Sequence, residues 1–279
     1  MKNLRAVVTA LLTPFDQGKV DFGSLEKLVE HQLKNGVEGF VINGTTAESP
    51  TLKASERDEI FKEVKSWVPA QFPLWMGTGS NSTEKTIEDS RAAERLGADA
   101  LLVVVPYYNK PPQRGLFEHF VKVAGATSLP NFLYNVPGRT ITSLEVETVK
   151  KLSEHPQIVG IKEATGNIDL AKQIRAVCGK EFIMLSGDDG TYDEFMSAGG
   201  DGVISVATHV IPRAMKQQKV RENLDLINAL FSEANPIPVK MAMHLMGVIK
   251  SPECRLPLVT LSQNATEKLK SEMKKKGLL

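Results

Sequence analysis

The first residue to ask about is a lysine inside an apolar run. Lys162 stands in Gly160-Ile-Lys-Glu-Ala164, between apolar neighbours and a single acidic one. A lysine amine held away from water is neutral more readily than one in water, and a neutral amine adds to a carbonyl carbon to form a Schiff base. The iminium that results is an electron sink, so the carbon next to the former carbonyl can lose a proton. The plain counterpart is a strand-end lysine paired with Glu163 or an aspartate, and position alone is compatible with both. Tyr134 is the second candidate, because a phenol beside an imine can give and take protons when other hydroxyls share them. Thr45 and Tyr108 could supply that relay. Gly44-Thr45-Thr46 offers backbone N–H groups and hydroxyls suited to a carboxylate, and Arg139 could clamp a carboxylate in bidentate fashion. Each also has an ordinary role, as a rim tyrosine, a connecting turn or a surface arginine.

These residues share a position, at or just after the C-terminal ends of short apolar runs. Such runs are Ala6–Leu12, Gly39–Asn43, Leu74–Thr78, Ala100–Pro106, Asn131–Asn135, Ile158–Glu163, Phe182–Ser186 and Gly202–Val206. Continuous apolar stretches such as Leu101–Val105 suit parallel strands covered on both faces. Amphipathic patterns lie between them. One is Phe22, Leu25, Leu28, Val29 and Leu33, closed by Asn35-Gly36; another is Leu116, Phe117, Phe120, Val121 and Ala124. Strand–helix units repeated in this way predict a (β/α)8 TIM barrel over residues 1–220, with its active site at the C-terminal ends of the strands. A helical segment over 221–279 is expected beside it, with one helix starting in Asn235-Pro-Ile-Pro-Val-Lys240 and a last one from about Ala265. The rival is a doubly wound sheet. It has only Gly77-Thr-Gly79 as a phosphate loop, without a third glycine or an acidic partner.

The bulk numbers exclude several classes of function. The chain has 279 residues, 42% hydrophobic and 24% charged, with a formal net charge of +1. Nothing in that balance argues for a nucleic-acid partner or an anionic membrane surface, and neither is expected. The lysines between Lys268 and Lys276 read as the solvated face of a last helix. Cys178 and Cys254 lie in no disulfide or zinc spacing, the five histidines stand singly and no carboxylates cluster at ligand spacing, so no metal and no cofactor are expected. No stretch is apolar for long enough to span a bilayer, and the N-terminal run lacks a cleavage site, so a cytoplasmic location is expected.

Together the motifs become specific. Gly44-Thr-Thr-Ala-Glu-Ser49, Pro106-Tyr-Tyr-Asn-Lys-Pro111, Tyr134-Asn-Val-Pro-Gly-Arg-Thr140, Gly160-Ile-Lys-Glu-Ala-Thr-Gly166, Ser186-Gly-Asp-Asp189 and Asn235-Pro-Ile-Pro-Val-Lys240 resemble, in this order, the dihydrodipicolinate synthase family of class I pyruvate-dependent aldolases. The resemblance implies a homo-oligomer, dimer or tetramer, that condenses pyruvate with aspartate-4-semialdehyde. It implies that Lys162 forms the imine, that Tyr134 shuttles protons and that Thr45 links Tyr134 to Tyr108. It also implies that Tyr108 reaches in from a neighbouring subunit, that Thr45 and Thr46 hold the pyruvate carboxylate and that Arg139 holds that of the semialdehyde. Gly187 and Ile204 match positions that line the pocket beside the imine. Arg139 sets the synthases apart from the sialic-acid and sugar-acid lyases of the wider superfamily.

The chain departs from the family in three places. Ala47 replaces a glycine. The stretch 207–234 is short by several helical turns, which puts the tetramer in doubt. Ala54, Arg57 and Lys85 stand where lysine-inhibited members carry histidines and a glutamate, and cations there would repel lysine's ammonium group, so feedback inhibition is expected to be weak or absent. Two other readings stay open from the residues alone: an aldolase of the same class acting on a sugar acid or hydroxy-oxo acid, and a non-catalytic barrel, which the presence of Lys162, Tyr134 and Arg139 disfavours.

Overall fold

A computed structural model describes residues 2–279. Eight parallel strands close into a barrel: Val7–Ala10, Gly39–Ile42, Leu74–Gly77, Ala100–Val104, Asn131–Asn135, Ile158–Glu163, Ile183–Ser186 and Gly202–Ser205. Each falls within an apolar run expected to form a strand; Asn131–Asn135 and Ile158–Glu163 match their runs, and the other six have ends trimmed by a residue or two where the ladder stops. The (β/α)8 class is therefore the observed one. By contacts the chain divides into two compact units, one holding the residues up to Val7 with Pro73–Ser205, the other Val8–Phe72 with Val206–Leu279.

The first unit contains the third to eighth strands and the helices between them. Their strands are almost wholly buried, with Leu101, Phe132, Leu133, Ile161 and Met184 closed to solvent. The fifth and sixth strands run in register as Leu133↔Ile161, Tyr134↔Lys162 and Asn135↔Glu163. The sixth and seventh align Lys162↔Leu185 and Glu163↔Ser186. Gly79 is no phosphate loop: a Cβ there would sit 2.3 Å from the Val104 nitrogen, so its glycine lets two backbones pass closely. Asp201, at the start of the eighth strand, accepts from Arg175 (2.6 Å) and from Arg5. Both arginines also donate to backbone carbonyls, Arg5 to those of Lys180 and Glu181, Arg175 to those of Gly179, Phe182 and Gly199. These pins lie at the N-terminal ends of strands, where barrels keep their stabilising contacts.

The second unit contains most of the first strand, the second strand, and helices Phe22–Lys34, Ala54–Trp67, Val220–Leu230, Ile237–Leu245 and Gln263–Lys275. Helix Phe22–Lys34 begins at Asp21, whose carboxylate accepts from the Ser24 backbone N–H (3.0 Å), a standard N-cap. The stretch 207–234 holds a turn at Ala207–His209, the five-residue helix Pro212–Lys216 and helix Val220–Leu230. A two-stranded ribbon, Phe15–Asp16 against Lys19–Val20, was not expected, because two-residue strands carry no periodicity to read. No helix among the described residues is long and apolar enough to cross a membrane.

Candidate active site

In the first unit, strand alternation sorts the residues at the strand ends onto two faces. Tyr134 and Lys162, neighbours in register, share one. The Lys162 amine lies 4.3 Å from the centroid of the Tyr134 ring. The two residues are 6% and 7% exposed, so this is a cation–π contact largely shielded from water. No carboxylate pairs with Lys162 among the described residues, which removes the ion-pair reading. Gly187 borders the lysine stem: a Cβ there would lie 2.7 Å from Lys162 Cε and 2.6 Å from Ala164 Cβ. The Gly187 N–H donates to the Glu163 carbonyl (2.7 Å), which fixes this close approach. Ile204, on the eighth strand, is 1% exposed.

Asn135 and Glu163 occupy the opposite face and bond to each other. Asn135 Nδ2 donates to Glu163 Oε2 (2.8 Å), and the Thr165 N–H donates to Glu163 Oε1 (2.7 Å). Burial pushes the Glu163 carboxyl above the ordinary range, against the pull of those hydrogen bonds. Sequence reasoning offered Glu163 only as a partner for Lys162 and gave Asn135 no role; their pairing was the missed feature. Arg139 sits exposed on the short helix Pro137–Thr140. Tyr108, on the loop after the fourth strand, is 85% exposed with φ +76°, a strained setting for an aromatic residue.

Thr45 and Thr46 belong to the second unit. They open a 3-10 turn, Thr45–Ala47, after the second strand. The turn closes through Ala47 N–H to Gly44 O (3.2 Å) and Glu48 N–H to Thr45 O (3.1 Å). Ala47 is accommodated, buried at 2% exposure. Two side chains from Asn235-Pro-Ile-Pro-Val-Lys240 hold this turn. Asn235 Nδ2 donates to Thr46 Oγ1 (2.9 Å), and Lys240 donates to Glu48. Both Lys240 and Glu48 have side chains closed to solvent. Lys240 also donates to Glu253 O (2.8 Å), and Arg255 N–H to Glu48 Oε2 (2.8 Å). Burial pulls Lys240 below the ordinary lysine range, and the Glu48 carboxylate opposes it. The same surroundings push the Cys254 thiol up to about 11, so it is not a nucleophile near neutral pH. The motif that read as a helix start is thus also a clasp on the Thr45–Glu48 turn.

Chemically, a buried amine against a phenol ring, with a side-chain-free position beside its stem, suits carbonyl addition followed by proton transfer. Among the described residues no group of three histidine, cysteine or acidic side chains is placed to hold a metal ion.

Comparison with known proteins agrees over the whole chain. Residues 3–276 match the dihydrodipicolinate synthetase family. The chain is 59% identical to a 4-hydroxy-tetrahydrodipicolinate synthase of Bdellovibrio bacteriovorus, with 100% of both chains covered. Its fold matches a dihydrodipicolinate synthase from Acinetobacter baumannii complexed with pyruvate, at TM-score 0.96 and 41% identity over 99% of this chain and 100% of that one. It also matches the dihydrodipicolinate synthase of Thermotoga maritima, at TM-score 0.95 and 42% identity over 99% of each.

Proposed function

We propose that this chain, which belongs to the dihydrodipicolinate synthetase family, is a lyase that condenses pyruvate with L-aspartate-4-semialdehyde to give 4-hydroxy-tetrahydrodipicolinate. The observation that carries the mechanism is the buried Lys162 amine over the Tyr134 ring, with Gly187 leaving its stem room. Lys162 Nζ adds to the keto carbon of pyruvate, and loss of water gives the iminium. The methyl carbon then loses a proton and becomes an enamine carbon, which attacks the aldehyde carbon of the second substrate. The substrate's own amine displaces Lys162 from the imine carbon, which closes the ring and frees the enzyme.

Tyr134 moves the protons, assisted by Thr45 and by Tyr108. The 85% exposure of Tyr108 suits a residue that completes the site of a neighbouring copy, so a homo-oligomer, dimer or tetramer, is part of the proposal. The Thr45–Thr46 turn receives the pyruvate carboxylate, Arg139 receives that of the semialdehyde, and Gly187 and Ile204 line the space beside the imine. We assign the reaction to the cytoplasm, on a barrel over 1–220 with its helical segment over 221–279.

The test is borohydride reduction in the presence of pyruvate. A pyruvate-derived adduct on Lys162 is expected; an unmodified Lys162 would sink the mechanism. Turnover with the semialdehyde, coupled to the next reductase, separates this reaction from that of a sugar-acid aldolase. Arg139→Ala should impair use of the semialdehyde and spare trapping by pyruvate.

A further inference from the structure

Arg139 lies on a connection, residues 136–144, whose only regular structure is one helical turn. That connection is nevertheless held firmly. Asn135 Oδ1 accepts from the Leu144 N–H (3.0 Å) and from the Ser143 hydroxyl (3.3 Å). Through its other side-chain atom Asn135 donates to Glu163, which follows Lys162 in the chain. Gln113 Nε2 donates to Ser143 O (2.8 Å), and the Glu145 N–H donates back to Gln113 Oε1 (3.2 Å). Within the connection the Thr140 hydroxyl reaches the carbonyls of Val136 and Thr142. These ties hold a backbone that does not relax to an ordinary shape: Ile141, 67% exposed, has φ +65°. A β-branched residue adopts that angle only where its surroundings impose it.

We propose that Asn135 and Glu163 are positioning residues for the second substrate: the Asn135–Glu163 link fixes the Arg139 connection against the strand that carries Lys162, so that Arg139 presents its guanidinium in the place the semialdehyde carboxylate needs. The inference rests on the function proposed above. Packing alone does not explain the pair. Asn135 and Glu163 are 0% and 2% exposed, and no cation faces Glu163 among the described residues. A carboxyl buried among amide donors is costly compared with an apolar pair of the same size. What the polar pair supplies is direction, because an N–H···O bond weakens steeply when misaligned and apolar contact does not.

The polarity of the link gives the test. In Glu163→Gln an amide N–H₂ must face either the Asn135 N–H₂ or the Thr165 N–H, so one tie is lost. Adding Asn135→Asp reverses the link: the introduced glutamine amide donates, and the introduced aspartate carboxylate accepts from it, from the Leu144 N–H and from the Ser143 hydroxyl. Glu163→Gln and Asn135→Ala are expected to raise KM for the semialdehyde by about ten- to a hundredfold. The pyruvate concentration for half-maximal borohydride trapping should change by less than about twofold. The double variant should recover most of the loss. If both substrates are weakened together, or the semialdehyde KM does not move, or the double variant is no better than the worse single one, the inference is overturned. Should Asn135→Ala fail to fold, Glu163→Gln cuts the same link from its other end, and an unmoved semialdehyde KM there overturns it equally. A wild-type enzyme that forms the pyruvate adduct but ignores the semialdehyde would overturn the proposed function instead.

Discussion

Replacing Gly187 with alanine asks whether the empty space beside Lys162 belongs to the chemistry. The new Cβ would lie 2.6 Å from Ala164 Cβ, 2.7 Å from Lys162 Cε and 3.1 Å from Lys162 Cγ. Carbon atoms sit comfortably at about 3.5–4.0 Å, so the neighbours must give by roughly 1 Å. Ala164 has little to give, since its N–H is tied to Asn135 O (2.9 Å) and its methyl sits directly on the backbone. The lysine stem is the movable partner, and it carries the amine with it. A displacement of about 1 Å at a reacting atom costs on the order of a hundredfold in rate, and overpacking of this kind costs about 1–3 kcal/mol of stability. The two effects are measured separately. Thermal melting reports stability, while borohydride quenching at timed intervals with pyruvate, followed by intact mass, reports how fast Lys162 forms its imine. Gly187→Ala should remain folded and trap pyruvate about a hundredfold more slowly. A folded variant that traps at the wild-type rate would refute the argument and leave Gly187 a packing residue only.

The remaining predictions concern charge. His209 and His119 are held neutral by burial, with pKa values lowered from 6.5 to about 4; His31, close to His209, adds to the effect there. The unfolded chain therefore binds more protons than the folded one below about pH 6.5, and stability should fall from there to about pH 4, by roughly 3 kcal/mol for each histidine. Urea midpoints across that window check this, and His119→Leu should flatten the slope; an unchanged slope would count against it. Lys240→Met leaves the Glu48 carboxylate buried without its cation and should cost about 3–5 kcal/mol, seen as a fall in Tm. Adding Glu48→Gln should recover part of that loss, and no recovery would mean that the pair is not what Lys240 contributes. Lysine at sub-millimolar concentration should not half-inhibit the enzyme. Lys85, which pairs with Asp89 (2.6 Å), and Arg57, which pairs with Asp58 (3.0 Å), keep cationic side chains where inhibited relatives are expected to carry histidines and a glutamate; a lysine titration of the coupled assay decides it.

How far the sequence was readable depends on the distance over which each feature is determined. The strands were legible because burial on both faces demands a continuous apolar run, and that demand is local. Asn131–Asn135 and Ile158–Glu163 form over the residues expected. Ala6–Leu12 shortens to Val7–Ala10 because the run stays buried beyond the last ladder bond, and burial is all that hydrophobicity reports. The clasp was not legible. Glu48 and Lys240 stand 192 positions apart, and no periodicity connects a residue after the second strand with one in a late helix. Lys240 read as part of a helix start, which it is, but the lysine is wholly buried, a fate that its sequence neighbours do not announce.

Asn135 and Glu163 are illegible for a different reason, since each adjoins a residue whose own chemistry is conspicuous. Tyr134 and Lys162 stand out in the sequence because a phenol and an amine can react. A strand that turns one residue to one face must turn the next to the other, so every reactive side chain at these strand ends comes with a neighbour that cannot share its surroundings. Tyr134 and Lys162 meet on one face at 4.3 Å, and Asn135 and Glu163 bond on the other at 2.8 Å. The register that aligns the first pair is the one that aligns the second. A slip of one residue would undo both, so the backbone ladder that sets the amine against the phenol on the reacting face is also what brings the amide to the carboxylate on the holding face.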